Sequence, residues 1–177
     1  MKRLQATLLA LGLTAVVSVA GALAWKQVPI VRHTVEAEIA ASPDAVWSAI
    51  TTGKNLVTWC PEWKSLSNAK INLTRVGDVL DFTDAWGNGG RSVVTFLARN
   101  QELRVQHEPT NGSYICQAKL LIAPTKTGTR VTYVEQYSDE SAPADLAATA
   151  GKVDAEMTAT LAALKKSVAL QKRPGKK

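Results

Sequence analysis

The amino-acid sequence predicts an α+β domain, a seven-stranded antiparallel sheet with one long C-terminal helix laid across its face. Three observations lead there. Turn signals recur through the middle of the chain about every ten to sixteen residues (Gly77-Asp78, Gly87-Asn88-Gly89-Gly90, Asn100, Asn111-Gly112, Gly128), the punctuation of a hairpin meander. Apolar residues Leu146, Ala150, Val153, Met157, Leu161, Leu164 and Val168 follow at steps of three and four, which makes one stripe of a helix. Ahead of the meander, an alternating segment runs directly into a helix-start signal.

In chain order, the first element is Leu4 to Trp25, 22 residues without a charge between Lys2-Arg3 and Lys26. It reads as an uncleaved membrane anchor, since about 20 apolar residues span the hydrocarbon layer. The alternative is a secretory signal ending at the A-x-A pattern of Ala22 and Ala24, although the stretch exceeds a usual signal h-region. Either way the remainder lies outside the cytoplasm, tethered in the cell envelope or exported. Residues 1–31 are thus set apart from a domain over 32–170 and a basic tail over 171–177.

Arg32 to Ala41 sets Val35, Ala37 and Ile39 against Glu36 and Glu38, a half-buried strand. Ser42-Pro43-Asp44 supplies an N-cap hydroxyl, a proline at the first helical position and an acid at the positive helix end. Val46, Trp47 and Ile50 form that helix's apolar side, and Gly53 is expected to stop it. A second short helical or irregular piece carries Leu56, Trp59, Pro61 and Trp63, with Pro61 barring a long helix. Six strands are expected around Ile71/Leu73, Leu80/Phe82, Val93–Leu97, Leu103/Val105/His107, Tyr114–Ile122 and Val131–Tyr137. Pro143 opens the closing helix, whose acids Asp145, Asp154 and Glu156 precede its cations Lys165 and Lys166, as the helix dipole prefers.

The net charge of +6 invites a nucleic-acid reading that the distribution of charge removes. Residues 33–164 hold 11 Lys/Arg against 15 Asp/Glu, so the basicity belongs to the two chain ends. The tail Lys172-Arg173-Pro174-Gly175-Lys176-Lys177 suits an anionic lipid surface or simply a solvated end. Cys60 and Cys116 are the only cysteines; export permits a disulfide between them, and isolated buried thiols are the alternative. No CxxC, HExxH or His/Cys cluster points to a metal. No P-loop, dinucleotide fingerprint or G-x-S-x-G elbow points to a cofactor or a nucleophile.

The chain resembles the SRPBCC (START-like, Bet v 1-like) superfamily in its polyketide cyclase/dehydrase branch, over roughly residues 32–170. The residues that carry the resemblance are the Val35–Ala41 strand, Ser42-Pro43-Asp44-Ala45-Val46-Trp47, Trp59-Cys60-Pro61, Val76-Gly77-Asp78, Gly128-Thr129-Arg130-Val131-Thr132-Tyr133 and the closing helix. The resemblance implies a helix-grip fold, in which a curved sheet wraps the long helix and leaves a cavity for lipids, sterols, polyketides or other apolar molecules. Some members of the superfamily are enzymes, and fold alone does not decide between binding and catalysis.

Strand alternation selects the inward side chains. With Gln117 and Lys119 in water, Tyr114, Cys116, Ala118, Leu120 and Ile122 face the helix. With Arg130, Thr132 and Gln136 outside, Val131, Tyr133, Glu135 and Tyr137 point in, as do Leu103, Val105 and His107. Val93–Leu97 is apolar on both faces and takes no orientation from the pattern. A carboxylate and an imidazole in an apolar pocket could exchange protons, or satisfy each other and the tyrosine hydroxyls as a buried polar network. Trp59, Trp63 and Trp86 are candidates to grip an apolar ligand at the mouth that the resemblance implies, or to plug the end of the core. Three functions therefore stand in order: binding of an apolar small molecule, a cyclase- or dehydratase-type reaction through His107 and Glu135, and a protein-interaction module.

Overall fold

The computed structural model describes residues 30–85, 87–110, 116–138 and 143–171, with the backbone alone for residues 30, 137, 138 and 143–149. Strand β1 (Ile30–Ile39) leads through Ser42 into helices α1 (Pro43–Thr51) and α2 (Gly53–Trp59). Strands β2 (Trp63–Leu66), β3 (Val79–Asp84), β4 (Gly89–Ala98), β5 (Glu102–Pro109), β6 (Cys116–Pro124) and β7 (Thr129–Ser138) follow, and helix α3 (Pro143–Gln171) closes the chain. All strands join one curved antiparallel sheet in the order β1-β7-β6-β5-β4-β3-β2. The α+β helix-grip expectation holds.

The expected helix start works as its residues suggest: Ser42 is extended and its Oγ accepts from the Ala45 amide at 3.3 Å. Gly53 plays a different part from the one expected. Helix α1 ends at Thr51, and Gly53 opens α2 with its Cα pressed against the carbonyls of Ala69 and Ile71, where no Cβ fits. The strand count of seven also holds, with one exchange. Trp63–Leu66 pairs with β3, whereas Asn72, between Ile71 and Leu73, makes only an isolated bridge to Thr52. Leu73 is buried there, so its apolar character serves packing under α1 rather than a ladder.

A bulge between Val94 and Phe96 resolves the stretch that is apolar on both faces. Val94 and Leu97 pair with the inward Val105 and Leu103, while Phe96 turns outward beneath the Arg104 guanidinium at 4.8 Å. The α3 stripe behaves as its spacing predicts: Met157, Leu161, Leu164 and Val168 are buried against the sheet and the two short helices. Among the described residues no helix is long and apolar enough to cross a membrane; Leu4 to Trp25 and the basic tail lie outside them.

Two glycines on backbone-limited and open ground give a matched test. A Cβ on Gly128 would overlap the Ile39 carbonyl oxygen, with the Ala40 Cα at 2.9 Å, whereas a Cβ on Gly151 of α3 would meet nothing within 4 Å. Gly128→Ala is expected to destabilise by about 1–3 kcal/mol. Gly151→Ala is expected to stabilise by about 0.5–1 kcal/mol, because it removes glycine from a helix interior. Urea unfolding of both variants checks this; equal effects would contradict the close approach at Gly128.

Candidate functional site

The register lines up residues in rows across the sheet, and the rows change character along it. At the end where β1 begins, one row runs Val31, Tyr137, Cys116, His107, Ser92, and the next runs His33, Glu135, Ala118, Val105, Val94. The following rows are Val35, Tyr133, Leu120, Leu103, Leu97 and then Ala37, Val131, Ile122. Side chains that titrate therefore gather at one end of the sheet, and aliphatic side chains fill the other.

On β7, Tyr133 and Glu135 are two residues apart and share a face, and the Tyr133 hydroxyl donates to a Glu135 carboxylate oxygen. Burial raises the Glu135 pKa, partly offset by that hydrogen bond and by His33, with Glu156 pushing it further up. Burial and then the Glu135 charge push the Tyr133 hydroxyl well above its ordinary range. His33, directly across from Glu135 on β1, is buried and pairs through Nδ1 with the Asp154 carboxylate of α3 at 2.8 Å. A chain of polar side chains thus joins the helix to the last strand: Asp154, His33, Glu135, Tyr133.

Glu62, in the short link from α2 to β2, meets the same cluster. Burial, then the charges of Glu135 and Glu156, push its carboxyl up to about 7. Cys60 and Cys116 are free thiols, not a disulfide, and burial drives both upward, with Glu62 or Glu135 next in effect. Thiols held this far from ionisation are poor nucleophiles.

His107 belongs to a separate corner of the same end. Its Nδ1 lies 2.6 Å from Ser92 Oγ, and burial lowers its pKa to about 4, so the imidazole is neutral at pH 7. Trp63 and Phe82 stack in parallel at 5.4 Å, and His107 stands edge-on to both at 5.8 and 6.3 Å. Gly90 makes this possible, since a Cβ there would enter the Phe82 ring. His107 and Glu135 are two strands apart, about 10 Å across the sheet, and each has its own partner. They do not form an acid–base pair.

Of the residues expected at the site, Trp63, His107, Tyr133 and Glu135 are brought to this end. Trp59 is not: its buried indole donates to the Ala49 carbonyl at 3.1 Å and ties α2 to α1, which makes it a core plug. Trp86, Tyr114 and the side chain of Tyr137 lie outside the described residues. Sequence reasoning missed His33, Ser92, Phe82, Glu62 and Glu156. For His33 the signal was present, because the Val35, Ala37, Ile39 alternation extends back to it. Among the described residues no group of three or more His, Cys, Asp or Glu could hold a metal ion. A groove of about 600 Å3 between α2 and α3, lined by Asn55, Thr58, Ser167 and Leu170 among others, shares none of these residues.

The family described as polyketide cyclase/dehydrase and lipid transport matches residues 31–169. The chain belongs to this family. No curated protein matches it. Among solved structures it is similar to a Staphylococcus aureus protein of unknown function, at 11% identity and a TM-score of 0.68, over 82% of this chain and 97% of that one. It is also similar to a Thalictrum norcoclaurine synthase point mutant in complex with a transition-state analogue (16% identity, TM-score 0.61, 83% and 99% covered). A third is the Aha1 dimer of Colwellia psychrerythraea (21% identity, TM-score 0.61, 81% and 99% covered). At these identities the likenesses establish the fold alone, the helix grip of the SRPBCC superfamily.

Opposed pKa shifts give the family member a readable pH dependence. His107, neutral when folded down to about pH 4, takes up a proton near 6.5 when unfolded, so its burial contributes stability that is present above pH 6.5 and lost as pH falls toward 4. Glu62, raised from 4.5 to about 7, contributes stability below pH 4.5 that is lost as pH rises through 7. Relative to the parent, His107→Gln should flatten the loss between pH 6.5 and 4, and Glu62→Gln should gain stability progressively from pH 5 to 8. Each effect is at most about 3 kcal/mol. Denaturant titrations across pH measure both, and parallel profiles for parent and variants would refute the shifts.

Proposed function

We propose that the domain binds an apolar small molecule, lipid- or polyketide-like, between α3 and the end of the sheet where the titrating side chains gather. One observation carries this reading: the rows change from His33/Glu135 and His107/Ser92 to Val35/Leu120/Leu103 over three residue pairs. A ligand with an apolar body and one hydrogen-bonding end matches that gradient, with Trp63 and Phe82 supplying a flat apolar wall. The family's description, which includes lipid transport, supports the same class of ligand. The proposed contacts are Trp63, His107, Tyr133 and Glu135, with Trp86, Tyr114 and Tyr137 as the sequence candidates for the rim. The domain is proposed to work in the cell envelope, held by Leu4 to Trp25 as an uncleaved anchor.

A cyclase- or dehydratase-type reaction is the second reading, and one observation favours it. Glu62, poised at about 7 beside Glu135, can both give and accept a proton near neutrality. The proton transfer would then run through the two carboxylates rather than through the neutral His107.

Native mass spectrometry of the detergent-extracted full chain, followed by solvent extraction, tests the binding reading. A bound apolar compound should co-purify, and Trp63→Ala should retain several-fold less of it. A ligand-free protein whose Trp63→Ala variant behaves identically would sink the proposal. A ligand chemically altered by the parent but unaltered by Glu62→Gln would move the assignment to the enzymatic reading.

A further inference from the structure

The end of the sheet at which the site lies is also the end at which the chain enters the domain. Strand β1 starts at Ile30, in register with Ser138 at the close of β7, one pair outside the Val31, Tyr137, Cys116, His107 row. Between Trp25 and Ile30 stand only Lys26, Gln27, Val28 and Pro29, four residues that extend about 14 Å at most. Helix α3 runs in the same direction as β1, away from the entry: Asp154 meets His33 near it, and Val168 is buried farther along. From Asp154 to Gln171 the helix runs about 26 Å, so the far end lies beyond the reach of that linker.

We infer that the titrating end of the domain is an interaction surface for the bilayer that holds Leu4 to Trp25, so that the ligand passes between membrane and site without crossing bulk water. This rests on the tethered reading given above. A four-residue link leaves little freedom to the end it is attached to and cannot bring the opposite end to the same surface. The cations fit this division. Lys165 and Lys166 of α3, and Lys172, Arg173, Lys176 and Lys177 after it in the sequence, follow the last acid of the chain, Glu156. Lys165 and Lys166 belong to the far end of the helix and are not needed to hold the entry end down. The partner is therefore the hydrocarbon and headgroup layer around the anchor, and the ligand class is an amphiphile that partitions into it.

The test uses the full chain reconstituted into phosphatidylethanolamine–phosphatidylglycerol vesicles. A photoreactive benzoylphenylalanine replaces Lys64 in one preparation and Lys126 in another; both lysines are exposed. Lys64 follows Trp63 on β2, at the titrating end but on the sheet edge opposite β1, so contact there is not simple nearness to the tether. Lys126 lies in the β6–β7 turn at the far end. Irradiation should give lipid adducts several-fold more often at 64 than at 126. A long flexible Gly/Ser insert after Pro29 should erase that difference while the chain stays in the vesicle fraction. Equal yields at the two positions, or a difference that survives the insert, would overturn the orientation and leave the tether intact. Recovery of the chain from cells in soluble form, with a mature N-terminus after Ala24, would overturn the tether itself and the inference with it.

Discussion

The pairing of the first strand with the last governs this molecule. β1 and β7 run side by side for ten residue pairs, from Ile30 opposite Ser138 to Ile39 opposite Thr129. Side chains alternate with a period of two, so a slip of one residue would carry His33, Val35, Ala37 and Ile39 to the solvent face together. The close approach of Gly128 to Ile39, and the Thr129 hydroxyl donating to the Ala41 carbonyl at 2.6 Å, lock the register at the far end. With the register set, His33 must stand across from Glu135, and Asp154 can reach it only if α3 lies along β1. The seat of the helix and the composition of the site are two results of one alignment.

That alignment places carboxyl groups where carboxylates are costly. Glu62 and Glu135 are both raised first by burial, and Glu156 presses on each of them. Holding Glu62 ionised against a rise from 4.5 to about 7 costs about 3 kcal/mol, at 1.36 kcal/mol per unit. Fully burying one aliphatic side chain contributes about 1.5–3 kcal/mol. Ile50, Leu80, Met157, Leu164, Val46, Val94, Val131 and Val168 are all buried almost completely. One or two of them outweigh the penalty at Glu62, so the buried aliphatic side chains carry the domain and an unfavourable carboxyl is tolerated. Such local cost, tolerated because the surroundings supply stability, is common at sites that meet a ligand.

The fold was legible because its signals are local. Glycine and asparagine turns, the Ser42-Pro43 start and the stripe from Val153 to Val168 each act over a few residues, and the structure uses them as read, with Asn111-Gly112 outside the described residues. What was lost depends on contacts between distant segments. Leu73 is apolar because it is buried in the core beside α1 while Ile71 stays exposed, which no alternation rule separates from a strand. Val93–Leu97 carries apolar residues on both faces because a bulge at Thr95 shifts the alternation midway, and Arg104 then covers the outward Phe96. At the site, His107 and Glu135 were correctly placed on the inner face, yet their separation depends on β6 lying between them, a matter of sheet order rather than of spacing. Glu62 left no trace at all. It lies in a loop, and only the docking of that loop against β7 and α3 gives its carboxyl a perturbed environment.

For the proposed binding of an apolar molecule, the unequal ends of the sheet set a direction. Were the aliphatic rows to continue to the entry end, an apolar ligand would have no preferred direction; were the polar rows to extend inward, its body would lose more than it gained. Two rows carry titrating groups before Val35, Leu120 and Leu103 take over, a depth of about 7 Å at 3.3–3.4 Å per residue along the strand, and the one hydroxyl of the third row, on Tyr133, is bonded to Glu135. A headgroup or a terminal hydroxyl fits within that depth, and a second polar group farther along the molecule would fall among leucines. The proposed binding would then select by position of the polar group rather than by overall shape, because of where the register puts His33, Glu135 and His107.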